Sequence, residues 1–209
     1  MRDDTALRRL MDAIATGDEA AIHQALAPAP GLATATLGQG ATREAASENF
    51  LTAIGHHVYA GDTALHVAAA AHRPGIARML LALGADVAAR NRRGATPLHY
   101  AADGSPGEPR WDPVGQVATI GALLAGGAEP DALDRSGVAP LHRAVRTRSA
   151  AAVAALLDAG ADPRRPNGSG STPIMLATLT TGRSGSGAPE AKAQEAEIIA
   201  LFARHGITA

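Results

Sequence analysis

One nine-residue phrase recurs through the chain and limits its folds more than any other feature. "GDTALHVAA" begins at Gly61, "GATPLHYAA" at Gly94, "GVAPLHRAV" at Gly137 and "GSTPIMLAT" at Gly170. Thr63 and Thr96 lie 33 residues apart, as do Ala139 and Thr172, while Thr96 and Ala139 are 43 apart, an excess of ten. A second phrase follows each copy: "LLALGAD" from Leu80, "LLAGGAE" from Leu123, "LLDAGAD" from Leu156 and a fainter "LFARHGI" from Leu201. A fixed period of this length is the signature of stacked units, none of which buries its apolar face alone.

Each unit reads as two short helices. Thr63, Thr96 and Thr172 are N-caps, and Pro97, Pro140 and Pro173 take the first helical position, where a missing N–H costs nothing. Gly84, Gly127, Gly160 and Gly206 suit the left-handed residue that ends a helix; Gly61, Gly94, Gly137 and Gly170 suit tight turns. Leu65, Ala68 and Ala69 share one helical face, and Ile76, Leu80 and Leu81 share the next. Ala139 removes a threonine cap at an expected local cost of about 1 kcal/mol, and Met175 breaks the histidine pattern and should weaken the last unit.

The phrases Gly-x-Thr-Pro-Leu-His-x-Ala-Ala and Leu-Leu-x-x-Gly-Ala-Asp resemble the ankyrin repeat, well over Gly61–Gly206 and faintly over Leu7–Leu26, with Gly17 at a helix–helix turn. The resemblance implies an all-α solenoid of helix-turn-helix units joined by short hairpin tips. It implies that His66, His99 and His142 tie neighbouring turns together. It also implies a non-catalytic module that binds another protein through its tips and first helices. The expected layout is one domain over 1–209. It has a degenerate unit at 5–27, an insertion with an extra helix at 28–59, and a unit at 60–92. A unit at 93–135 carries a loop insertion at 103–116. A unit at 136–168 precedes a closing unit at 169–209 with an insertion at 180–194.

Composition narrows the chemistry. With no cysteine, disulfides, thiolate catalysis and cysteine-bound zinc are excluded. Four of the eight histidines crowd into 55–72, but His56, His57 and His72 lack zinc-ligand spacing, so no metal and no cofactor is expected. A net charge of −1 argues against a dedicated nucleic-acid binder. Nothing approaches the length of a membrane span or the pattern of a signal peptide, so a cytoplasmic protein is expected. Lys192 is the only lysine, and the arginine and alanine bias suggests a bacterial, GC-rich gene. Aromatic residues are scarce: Phe50, Tyr59, Tyr100, Trp111 and Phe202.

The departures from the repeat are where function is sought. "TREAASENFLTAI" reads as a helix capped by Thr42 with Phe50, Leu51 and Ile54 on one face, covering the open end of the stack. "DGSPGEPRWDPVGQ" holds Trp111, which either anchors its loop or marks a binding hot spot. "TTGRSGSGAPEAKAQ" lacks the Gly-Lys-Ser/Thr ending of a phosphate loop. It should project from the same rim as the Trp111 loop, two units away, at roughly 20 Å. The final helix, with Glu195, Glu197 and Arg204 available to water, reads as a polar cap and favours a monomer.

Arginines gather on the tips and beside them: Arg90, Arg92, Arg93, Arg135, Arg164 and Arg165, with Arg143, Arg146 and Arg148 on a first helix. Some should pair with Asp86, Asp131, Asp134 and Asp162. The rest would meet an acidic patch on a partner, and Arg90, Arg92, Arg93, Arg135, Arg146, Arg148, Arg164, Arg165 and Trp111 are the candidate binding residues. An inhibitory or immunity-type protein would use the same surface. An enzyme is the weaker alternative, because Asp103, Glu108 and Asp112 fall in a flexible loop; a deep pocket with converging polar groups would revive it. Nucleic-acid binding through the tips lacks interleaved aromatics.

Overall fold

The computed structural model describes residues 4–104, 106–108, 111–178 and 189–207. The first unit is α1 (Thr5–Thr16) and α2 (Glu19–Leu26). The next pairs are α3 (Ala64–Ala70) with α4 (Pro74–Ala82), and α5 (Pro97–Ala102) with α6 (Pro113–Ala125). They are followed by α7 (Pro140–Arg146) with α8 (Ala150–Asp158), and α9 (Pro173–Thr178) with α10 (Pro189–Arg204). First helices pack on first helices, α1 on α3 and so on to α9; second helices α4, α6, α8 and α10 form the other row. The fold is the all-α solenoid that the repeats predict.

Small side chains set the layer spacing. Leu65, Ala68, Leu98, Ala101, Leu141 and Ala144 are fully buried between first helices, and Leu80, Ile120, Leu123 and Leu156 fill the seam to the second row. The glycines expected at both turns have φ between 69° and 93°. Gly94 shows the packing reason as well: a Cβ there would lie 2.9 Å from the Arg135 backbone nitrogen.

The histidines form the stitch that the resemblance implies. His66 Nε2 donates to Ala95 O at 3.1 Å, His99 Nε2 to Val138 O at 2.9 Å and His142 Nε2 to Ser171 O at 3.1 Å. Because each Nε2 faces a carbonyl it carries the proton, leaving Nδ1 to accept from the backbone N–H of Thr63, Thr96 or Ala139. One ring thus caps its own helix and ties down the next unit. Burial lowers His66 and His99 to about 4, so both stay neutral. Met175 occupies this position in the last unit and is half exposed.

The insertion at 28–59 corrects the expected extra helix. Thr42 does accept the Ala45 N–H at 3.1 Å, but no α-helix propagates from that cap. A 3-10 turn at Ser47–Asn49 leads into β1 (Phe50–Leu51), which pairs antiparallel with β2 (His56–His57). Phe50 is exposed, Leu51 is buried and Ile54 sits in the hairpin turn, so the three do not share a helical face. Upstream, a 3-10 turn at Pro30–Ala33 packs on α1, α2 and α3. The chain then runs beside residues 58–63: Leu37 N–H donates to Asp62 O and Ala41 N–H to Val58 O. Gly40 permits this approach, since a Cβ would lie 2.5 Å from the Tyr59 carbonyl carbon.

Asp112 also departs from the loop reading, because its carboxylate caps α6 by accepting from Val114 and Gly115 N–H groups. Of the insertion expected at 180–194, residues 180–188 and the spacing of that insertion from the Trp111 loop lie outside the described residues. Glu195 is not given to water as expected: it pairs with Arg148 at 3.3 Å.

Candidate functional site

A cleft of about 870 Å³ crosses the ends of four first helices. Its floor is made of small residues at those ends: Ala15 and Thr16, Ala70 and Ala71, Gly104 and Thr147. One wall is the β1–β2 turn with Ile54 and His56; the other is the second insertion with Glu108 and Trp111. The two departures from the repeat therefore frame one opening, a relation that neither sequence stretch discloses alone.

Beneath the hairpin wall lies a buried polar network. Asp62 accepts from Tyr59 N–H at 2.7 Å, Asn91 Nδ2 at 2.8 Å and Tyr100 OH at 3.3 Å. Burial raises its carboxyl to about 6 against the pull of these donors. The Tyr100 hydroxyl is raised by burial and then by the Asp62 charge. His56 meets the Tyr100 ring edge-on at 4.4 Å and is held below the usual histidine range by burial, which outweighs the opposing pull of Asp103 and Asp62. His72 has a left-handed backbone, φ 51°, rare for a residue with a Cβ. Its Nε2 donates to Asp103 O at 3.1 Å, fastening this helix–helix turn to the next unit.

Asp103 is tied into the scaffold. Arg143 reaches Asp103 at 3.0 Å and Asp134 at 3.3 Å, and Arg146 stands 3.8 Å from Asp103. Burial works against the Arg143 charge, but the two carboxylates outweigh it and raise its pKa. The remaining hydroxyls are also engaged: Tyr100 OH donates to Asp62, Thr147 to Arg143 O and Thr16 to Asp12 O. Most polar groups in the cleft thus have a local partner or a packing role, and Arg73 and Glu108 are its charged residues without an ion pair among the described residues. Among the described residues no group of three His, Cys, Asp or Glu is placed to hold a metal ion.

The candidate arginines divide. Arg90 donates to Gly94 O at 2.9 Å and Leu133 O at 2.6 Å, so it splices two tips. Arg92 donates to Ala41 O, Arg93 donates to Tyr59 OH at 3.2 Å, and both guanidinium groups lie over the Tyr59 ring at 5.3 and 5.2 Å. They clamp the first insertion to the next tip. Arg165 stands 3.9 Å from Asp131. Arg148 is 7% exposed and locked to Glu195, which corrects its assignment to a binding surface: its αL backbone, φ 58°, turns the side chain toward α10. Arg135 and Arg164 are exposed, and Arg146 is 57% exposed. Asp86 and Asp162 use their carboxylates on the nearby N–H groups of Ala88 and Arg164.

Trp111 is half-buried, and its Nε1 donates to Gln116 Oε1 at 3.1 Å. Gln116 is fully buried, donates to Ala101 O and accepts from Ser149 OH. The indole is anchored by its nitrogen and still lines the cleft. Arg73, absent from the candidates, also lines it. Its signal was available: a charged residue directly after the helix–helix turn of a unit flanked by an insertion.

The comparisons with known proteins agree with the architecture. A model for ankyrin repeats in many copies matches residues 56–101, and one for a single ankyrin repeat matches residues 93–135. No curated protein matches the chain.

Proposed function

From a chain that belongs to the ankyrin repeat family, we propose a non-catalytic module that binds another protein across its first-helix face. Ankyrin repeats are in general protein-interaction modules. The observation that carries the reading for this chain is the cleft framed by its two insertions, open and floored by small side chains. The exposed tip arginines Arg135 and Arg164, together with Arg146, which is 57% exposed while facing Asp103, favour an acidic surface on the partner, with Trp111 as the aromatic contact in the cleft. Arg90, Arg92, Arg93 and Arg165 serve the stack first and binding second. No helix among the described residues is long and apolar enough to cross a membrane.

The test is affinity capture from the lysate of the source cell with wild type beside Arg135→Glu/Arg146→Glu/Arg164→Glu. A partner retained by wild type and lost by the folded triple variant is expected. Equal retention by both would remove these arginines from the site.

A further inference from the structure

The two ends of the cleft carry opposite charges, and this selects an occupant. At the first-unit end the Arg73 guanidinium rests on Gly17: a Cβ there would lie 2.8 Å from Nη2. Arg73 is exposed and has no ion-pair partner among the described residues. At the third-unit end stand Glu108, exposed, and the Trp111 ring on the same insertion. Asp103 lies between them and is already neutralised by Arg143 and Arg146. The floor between the ends presents Ala15, Ala70, Ala71 and Gly104, so a main chain can approach closely.

We propose that the cleft holds an extended segment of a partner protein, about six residues long, with a carboxylate over Arg73 and a cationic side chain over Glu108 and Trp111. This rests on the reading of the chain as a protein-binding module. The length follows from two helical layers at roughly 10 Å each, which an extended chain crosses at about 3.3 Å per residue. The cationic end gains an ion pair and the face of an indole. Small residues occupy the middle of the segment, where the floor leaves no depressions for large ones.

The experiment pans the full chain against a displayed library of linear twelve-residue peptides. Enriched sequences are then measured as labelled synthetic peptides by fluorescence anisotropy. The expected peptides carry Asp or Glu about six positions from Lys or Arg, in a fixed order. Arg73→Glu weakens them about tenfold or more, and changing the peptide's acidic residue to Lys restores binding to that variant. Ala71→Trp, which fills the floor, abolishes binding, while Arg78→Glu on the second-helix row does not; thermal melts confirm that the variants fold. Peptides without the paired charges, or binding indifferent to Ala71→Trp, would overturn the proposal. Failure to enrich any peptide also overturns it. A lysate partner that Ala71→Trp still loses would in that case leave the binding reading standing, and a partner indifferent to Ala71→Trp would remove both.

Discussion

The body of the stack and the insertion at 28–59 are held by different means. In the body, each junction from α3 to α9 repeats one device: a neutral histidine that caps its own helix and donates to a carbonyl of the next unit. The insertion is fastened by contacts that occur once. Asp4 accepts from Gly38 and Gln39 N–H groups, Arg8 donates to Asn49 and Gln39, and Arg92 and Arg93 close over Tyr59. Repetition builds a stiff wall from a short code, and single-use contacts place a separate wall opposite the Trp111 loop. The cleft exists because the two meet.

The sharpest way to break this comparison is His99→Ala. It strands the Thr96 N–H and the Val138 carbonyl inside the stack and opens a small void. A loss of about 3 kcal/mol is expected in urea unfolding. An effect below about 1 kcal/mol would mean that apolar packing, not the stitch, carries the junction.

The pH dependence comes next. His66 and His99 fall from 6.5 to about 4 on folding, so the unfolded chain binds more protons and stability drops as pH falls through this window. Asp62 rises from 3.8 to about 6, so the folded chain holds its proton more tightly and stability gains as pH falls through that range. From these three groups the net loss is about 1.4 kcal/mol per pH unit between roughly pH 6 and 4.5, and His56, His72 and His142, also lowered by burial, add to it in the same direction. Urea midpoints across this range measure it, and a flat profile would contradict the neutral-histidine stitch.

On the insertion, Arg92→Ala removes a donor to Ala41 O and one face of the Tyr59 sandwich. It should cost about 1 kcal/mol and speed amide exchange at Leu37 and Ala41 while leaving α5 and α7 protected. Global loss of protection would show that the insertion and the body form one cooperative unit. The smallest change is a gain. Ala139→Thr restores the missing cap beside His142 and should add about 0.5–1 kcal/mol.

Legibility followed periodicity. Thr63, Pro97, His66 and Gly84 repeat at fixed offsets, so the sequence discloses helices, turns and stitches together. Segment 42–54 carries a helix cap signal in Thr42 and apolar residues at helical spacing, yet it becomes a 3-10 turn and a hairpin. Pairing of residues 37–41 with 58–62 and the seating of Leu51 and Val58 in the core override local preference there. The arginines misled for a related reason. Arg148 and Arg143 look like solvated charges on a helix, but Glu195 and Asp103 come from other units and become their neighbours only through the stacking, whereas Asp134, the expected partner, lies just ahead of α7 in the same unit as Arg143.

The most direct test of the account is amide hydrogen exchange of the full chain with and without its captured partner. Slowed exchange at Ala53–His56, Ala70–Arg73 and Asp103–Gly104, with α4, α6 and α8 unchanged, is the predicted footprint. Protection confined to the second-helix row, with those three segments unaltered, would contradict it.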